Sequence, residues 1–459
     1  MDLTRGAAVI SLALAAVTAF ASQSRTPPVV GGRNLYVSPA GEWSNDGSQD
    51  HPMDLARALT NYGESIRPGD TIWLRGGIYP GSFTSILTGT EEAPITVRSY
   101  PGERAVLDGA SGSTNVLTVM GAWTTFRGVE VTNSKPDRVG TATSGPPIGV
   151  FASGPHTSFV NMVVHDTGQG FLFTPSAVDS VIVGNIIYNN GWDAPDRGHG
   201  HGIYAQNETG TKLIQDNIIF NQFSHGIHAW GTSQQHVDNI HIIGNVSFNN
   251  GAPAPHGTAR NILLGGDGTS YNGVVESNYT YYDSMLSQME NSFGFGGGCV
   301  NGVATDNYFA GAVPLVVNCS GTTIVRNTLV GNSPAAVVST YPLNTFLTVR
   351  PQGTKVFLRP NPAERRRVTV IVYNWDLRDR VRVDLSSAGY AAGDPYDLVD
   401  VQNYFGPVLL SGRYPKSGLD IPMKGLVPGR AAGNAPNQPY HTAPEFGVFI
   451  VRPATAVNR

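Results

Sequence analysis

An asparagine stands ahead of a short apolar strand again and again through the middle of the chain. The phrases are Asn161-Met-Val-Val, Asn185-Ile-Ile-Tyr, Asn217-Ile-Ile-Phe, Asn245-Val-Ser-Phe, Asn278-Tyr-Thr-Tyr, Asn307-Tyr-Phe and Asn327-Thr-Leu-Val, separated by 24, 32, 28, 33, 29 and 20 residues. Independent loops have no reason to keep such a phase. A coil of stacked turns does, because each turn contacts its neighbours and a polar corner residue can bond to its copy above. Asparagine suits that corner, since its amide both donates and accepts and its backbone tolerates a left-handed bend. The spacing predicts a parallel solenoid with an asparagine ladder. The shortest step sets the bare circuit, and longer steps carry loops. Insertions at 134–146, 191–200, 251–259 and 284–292 follow the asparagine strand at a similar offset, so they are expected to form walls on one side. The turns at 166–169 and 222–224 are short and are expected to leave gaps between those walls.

A solenoid needs its ends covered. Met53, Ala56 and Leu59 stand at helical spacing and predict a cap helix over 53–62. Past about Tyr341 the phase is lost. Strand-like segments from Thr345–Arg350 to Phe446–Val451, with polar turns between them, predict a small antiparallel β-sandwich over 342–459. The fold class expected is therefore all-β, a parallel β-helix over 34–341 followed by that second domain. Residues 1–21 read as a secretory signal: Arg5, the apolar run Gly6–Phe20, and the small-x-small site Ala19-Phe20-Ala21. No later stretch is long and apolar enough to span a bilayer. A secreted or periplasmic protein is expected. Cys299 and Cys319 fall on neighbouring turns and can be a disulfide there or two buried thiols. The net charge of −4 argues against nucleic acid as a partner.

Inside the solenoid, His201-Gly-Ile-Tyr204 returns 24 residues later as His225-Gly-Ile-His228. Strand side chains alternate between faces. With Phe171, Ile203, Ile227 and Ile262 inward, Leu172, Tyr204, His228 and Leu263 point out, as do Thr174, Gln206 and Trp230. Gln169, His201, His225 and Arg260 occupy the corner before the strand. The candidate catalytic patch is His201, Tyr204, His225, His228 and Arg260. Trp230 and Gln206 lie at its margin, with Asp193, Asp196, Arg197, His199 and His256 on the flanking loops as binding residues.

The opening Leu35-Tyr-Val-Ser-Pro-Ala-Gly41, the segment Pro68-Gly-Asp-Thr-Ile-Trp-Leu-Arg-Gly-Gly-Ile-Tyr79 and the asparagine ladder resemble those of secreted right-handed parallel β-helix proteins. This pectate-lyase-like superfamily includes polysaccharide lyases, glycoside hydrolases and alginate epimerases. The resemblance implies a right-handed coil and a polysaccharide or oligosaccharide partner. Many of its lyases use Lys or Arg as base, often with calcium. Here Lys212 is the one lysine near the central turns and lies on a different strand. The resemblance leaves calcium open without a specific motif for it, and no other cofactor or metal is expected.

Three chemistries could use the patch. β-Elimination on a uronate polymer needs a cation, a base and an acid: Arg260 or Arg197 as cation, His228 or His225 as base, Tyr204 as acid. Glycoside hydrolysis would use Asp193 and Asp196. Metal binding would use His199, His201, His225 and His228, without a helical His-x-x-x-His pattern to support it. A non-catalytic glycan-binding or cell-surface role is the remaining reading.

Overall fold

The computed structural model describes residues 32–112, 114–282 and 290–454. The expected signal at 1–21 and most of the insertion at 284–292 lie outside the described residues. Two compact units result: one runs to Phe346 and includes Ala432–Asn437, the other comprises Leu347–Ala431 and the chain from Gln438 onward.

The first unit is a parallel β-helix built from three long sheets of eleven, nine and eleven strands. The first sheet runs from Asn34–Glu42 to Thr323–Val325, the second from Phe83–Ser85 to Val313–Val317, and the third from Gly77–Pro80 to Thr345–Leu347. Many strands are only three residues long. They suffice because each inward side chain packs on its copies above and below, as Phe126 does on Phe159 at 5.7 Å. Each fully buried Val, Leu, Ile or Phe contributes about 1.5–3 kcal/mol, and one continuous core of such residues fills the coil.

The asparagine ladder is present. Asn185 Nδ2 donates to Asn217 Oδ1 at 2.9 Å, Asn217 to Asn245 at 2.9 Å, Asn245 to Asn278 at 3.0 Å, Asn278 to Asn307 at 3.1 Å and Asn307 to Asn327 at 2.8 Å. It continues to Asn344, which accepts from Asn327 at 2.8 Å. Asn161 is not a rung. Val163 pairs with Ile186, so Met162 holds the ladder position and its N–H donates to Asn185 Oδ1 at 2.7 Å. Asn161 instead takes the bend before it, with φ 51°, where later turns have Gly184, Asp216, Gly244, Ser277, Asp306 and Arg326 at similar angles. The left-handed residue is thus the one before the rung.

A second polar ladder lines the opposite corner. Thr167 Oγ1 donates to Asn190 Oδ1 at 2.8 Å, Asn190 Nδ2 to Gln222 Oε1 at 3.0 Å, Gln222 N to Asn250 Oδ1 at 3.2 Å, and Asn250 Nδ2 to Asn261 Oδ1 at 2.8 Å. It explains the glycine after His225, and the backbone of the next turn explains the one after His201. A Cβ on Gly226 would lie 2.6 Å from Asn250 Nδ2 and 2.3 Å from Ser247 Oγ, and one on Gly202 would lie 2.7 Å from Gly226 O.

The insertions at 134–146, 191–200 and 251–259 do not stand as separate walls. Asp193 N–H donates to Arg138 O at 2.7 Å and Gly140 N–H to Asp193 O at 2.9 Å, across the short turn at 166–169. Gly198 N–H donates to His256 O at 3.0 Å across the turn at 222–224, and a Cβ on Gly198 would touch Phe223 O. The expected gaps are closed because the loops give one another the backbone partners that a short turn leaves unpaired.

The cap helix is shorter than expected, Leu55–Leu59, with Asp54 capping it by accepting from Arg57 N–H at 2.9 Å. Met53 is held in β-bridges to Val37 and Glu42 instead. The buried face is Leu55, Ala58 and Leu59. Cys299 and Cys319, on paired strands, form a disulfide. The segment Thr345–Arg350, expected as the first strand of the terminal domain, instead gives the strand Thr345–Leu347 of the third sheet, where Thr345 N–H donates to Asn327 O at 2.8 Å.

The second unit has an antiparallel five-stranded sheet in the order Thr354–Pro360, Val368–Asn374, Phe446–Arg452, Pro395–Asp400 and Leu410–Arg413. A two-stranded sheet, Arg380–Val383 with Leu419–Pro422, packs with it around Val370, Leu398, Ile421 and Phe449.

Candidate functional site

The second sheet carries the patch in the expected register. Leu172, Tyr204, His228 and Leu263 stand opposite one another on successive strands. Phe171, Ile203, Ile227 and Ile262 beside them enter the core. His201 and His225 stack at 5.1 Å with their planes 7° apart. The ring of His228 meets both at an angle, at 4.2 and 4.6 Å. Tyr204 lies edge-on to His228 at 5.2 Å, and Trp230 lies 5.3 Å from it on the other side.

Hydrogen bonds determine which ring nitrogens carry protons. A backbone N–H can only donate. His225 N–H donates to His201 Nδ1 at 3.2 Å, and Arg260 N–H donates to His225 Nδ1 at 2.8 Å. In the neutral ring the other nitrogen then bears the hydrogen, so His201 and His225 are both Nε2–H tautomers. His201 Nε2 faces His228 Nδ1 at 2.9 Å. His201 is therefore the donor in that bond, His228 Nδ1 the acceptor, and His228 too carries its hydrogen on Nε2. Burial keeps all three rings neutral. It holds His225 down at about 3, with Arg260 and Arg197 adding repulsion, and it pushes His201 and His228 well below the ordinary histidine value, aided by their neighbouring imidazoles. The stack thus presents N–H donors. The base role expected for His228 or His225 does not fit, because neither has a lone pair on Nε2.

Expected outward and accessible, His228 is as buried as the corner pair His201 and His225, because the three rings shield one another. Tyr204 is half-buried, and burial raises its phenol above the usual value. Gln206 Nε2 donates to Tyr204 Oη at 3.3 Å and to Gln235 Oε1 at 2.8 Å. Positive charge comes from two guanidiniums: Arg197 acts on all three imidazoles, and Arg260 on His225 and His228. Arg260 Nε donates to Ser292 Oγ at 2.9 Å while its guanidinium lies 4.9 Å from the centre of the Phe295 ring.

The loop carboxylates are engaged elsewhere. Asp193, nearly buried, meets His256 Nδ1 at 3.0 Å, and Asp196 meets His199 Nε2 at 3.0 Å. The His199 bond holds Asp196 below the usual carboxylate range. His199 stacks on Trp192 at 5.1 Å. Lys212 lies in the first sheet and donates from Nζ to Thr174 O at 2.8 Å and Asn207 Oδ1 at 3.2 Å, with burial pushing it down to about 7.

Sequence reading missed Phe295, Ser292 and Gln235. Strict alternation from the inward Phe293 would send Phe295 into the core. A register slip after Leu264 pairs Phe295 with Gly265, on the outward column, where it lies 5.4 Å from Trp230. Gly294, at φ 80°, makes that slip.

The three imidazoles have ligand atoms within 4.8 Å of one another. Spacing alone would suit a transition metal, but the Nδ1 acceptor bonds leave Nε2 of His201 and His225 protonated and without a lone pair. Calcium takes about six to eight oxygens, and this patch offers imidazoles and guanidiniums. Its residues fit neither ion.

Residues 35–313 match a family model described as the Pel9A-like right-handed β-helix region. Pectate lyase L of Paenibacillus polymyxa is 27% identical over 301 residues, 60% of this chain and 64% of that protein. The uncharacterised protein YwoF of Bacillus subtilis is 36% identical over 80 residues, 17% of this chain and 16% of its own length. The chain thus spans less than two thirds of either relative. The crystal structure of pectate lyase Pel9A superposes with a TM-score of 0.45 at 21% identity, covering 66% of this chain and 81% of that one. With well over half of its length matched by that model, the chain belongs to the Pel9A-like right-handed β-helix family.

Proposed function

We propose that this protein is a carbohydrate-active enzyme that cleaves an acidic polysaccharide by β-elimination. The observation that carries the reading is the set of neutral imidazoles fixed as N–H donors, flanked by Arg197 and Arg260, beside the hydroxyl of Tyr204. A uronate carboxylate fits the guanidiniums and the Nε2–H groups of His225 and His228. As the C5 proton leaves, negative charge spreads onto that carboxylate, and fixed donors stabilise it most at that moment. Tyr204 is the patch group whose oxygen can both take and return a proton. Its phenolate removes the C5 proton, the C4–C5 double bond forms as the C4–O4 bond breaks, and the phenol hands the proton to the leaving O4. The phenolate is regenerated, so the cycle balances. His201 and the Arg260 backbone act as positioning groups. The relatives named as pectate lyases support this class of substrate. The disulfide supports an oxidising, extracytoplasmic setting. Hydrolysis by Asp193 and Asp196 is less favoured, because each carboxylate is bonded to a histidine, Asp193 to His256 of the neighbouring loop and Asp196 to His199 of its own.

The test is turnover of uronate polymers followed by the ultraviolet absorbance of the unsaturated product. Tyr204→Phe is expected to lower kcat by about 10²–10⁴, with KM little changed. Reducing ends appearing without absorbance, or full activity in Tyr204→Phe, would sink the proposal.

A further inference from the structure

The outer face of the second sheet continues past the imidazoles toward the N-terminal end of the coil. Thr84, Thr118, Phe151, Leu172, Tyr204 and His228 form one outward column in continuous register. Two residues further on, Ile86, Met120, Ser153, Thr174 and Gln206, each just past the end of its strand, and Trp230 continue the face as a second column, with Met120, Ser153, Thr174 and Gln206 bonded to the turn before. On the four rungs before Tyr204 these columns hold no ionisable side chain. They expose apolar surface instead: Ile86 is 51% and Met120 57% exposed, and Phe151 and Leu172 are half-buried. The guanidiniums that act on the imidazoles, Arg197 and Arg260, are outside these columns, and Lys212, whose Nζ donates to Thr174 O, is only 2% exposed. Strands stack about 4.8 Å apart, so the four steps from Tyr204 to Thr84 extend roughly 19 Å, room for several sugar rings continuous with the reacting one.

A carboxylate laid on Leu172, Phe151 and Met120 would lose water and find no cation in these columns. An uncharged ring with an apolar edge would gain by covering them. We infer that the glycan is mixed: its reacting uronate lies at Tyr204–Arg260, and the residues it carries over Leu172, Phe151 and Met120 are uncharged and apolar-edged. A methyl-esterified uronate or a 6-deoxyhexose has that chemistry. This inference rests on the elimination reading for the reacting residue, and it makes Met120, Phe151 and Leu172 specificity-determining residues.

The experiment compares three substrates: fully de-esterified polygalacturonate, partly methyl-esterified polygalacturonate, and a polymer alternating galacturonate with rhamnose. Wild-type kcat/KM is expected to be at least tenfold higher on one of the last two, and which one identifies the apolar group. Met120→Lys, at an exposed position, is expected to erase that preference through KM while kcat stays within twofold. A wild-type preference for the fully charged polymer, or a ratio unmoved by Met120→Lys, overturns the inference. Absence of unsaturated product from all three polymers refutes elimination instead. Calorimetric binding of the same polymers to wild type and Met120→Lys then reads the preference without turnover, under the same two criteria.

Discussion

Acidification from pH 6.5 to 5 tests the state of the imidazole stack. His225 has a folded value of about 3, and burial pushes His201 and His228 the same way. A depressed histidine contributes stability that is complete above its unfolded value near 6.5 and is lost as pH falls, because the unfolded chain then binds the extra proton. Linkage gives a loss of about 1–2 kcal/mol for His225 over this interval, and His201 and His228 act in the same direction. His165 runs the other way. Burial opposes its charge, but bonds to Asp166 and Glu130 prevail and hold it up at about 9. Its contribution is complete below 6.5 and is lost as pH rises through 9, so it changes by less than about 0.5 kcal/mol here. His241, pushed down to about 4 by burial, adds to the acid loss but remains in a variant lacking the stack. The assay is urea unfolding at both pH values for wild type and for the triple variant His201→Gln, His225→Gln, His228→Gln. Wild type should lose at least about 1–2 kcal/mol more than the variant. Equal losses would refute the reasoning, as would an imidazole nitrogen signal from the folded stack titrating near pH 6.5.

Other consequences are as direct. Asn245→Ala strips buried partners from Ile214 O, the Asn217 backbone and side-chain N–H groups and Asn278 Oδ1, and should cost about 3–5 kcal/mol, read as a lowered denaturation midpoint. Arg260→Ala should raise KM about tenfold to hundredfold and flatten its salt dependence. Arg260→Lys should recover only part of that, since an ammonium cannot both stack on Phe295 and keep the fork geometry. Because burial raises Tyr204, the phenolate population grows with pH, so kcat/KM should climb about tenfold per pH unit from 6.5 to 8.5. A bell centred near 6.5 would return the base role to a histidine.

The coil and the inward or outward facing of its strand residues were legible because both rest on repetition. A two-residue period leaves one choice of face, and a ladder works only when consecutive turns agree. Asn161 misled because asparagine serves both as a rung and as the left-handed residue before it, and spacing cannot separate the two when they are adjacent. The knitting of the loops at 134–146, 191–200 and 251–259 was hidden for a different reason. It depends on backbone groups of three separate turns, which carry no side-chain signature. Phe295 was lost to a single glycine that shifts the register.

The tautomers of the stack were equally invisible in the residue types, yet they follow from the same geometry that makes the ladder. Each turn rises by one strand spacing, so the backbone N–H of the next corner residue arrives at Nδ1 of the histidine below. His225 does this for His201, and Arg260 for His225. The glycine after each histidine lets the corner close against the second ladder or the backbone of the next turn, which keeps that N–H in place. A histidine base could arise only where the next turn failed to supply the N–H. Neither corner histidine is free of it, and His201 extends the effect to His228 through its own Nε2–H. The solenoid backbone therefore dictates that the imidazoles donate, and in the proposed elimination the chemistry that needs a lone pair is assigned to the neighbouring column position, Tyr204.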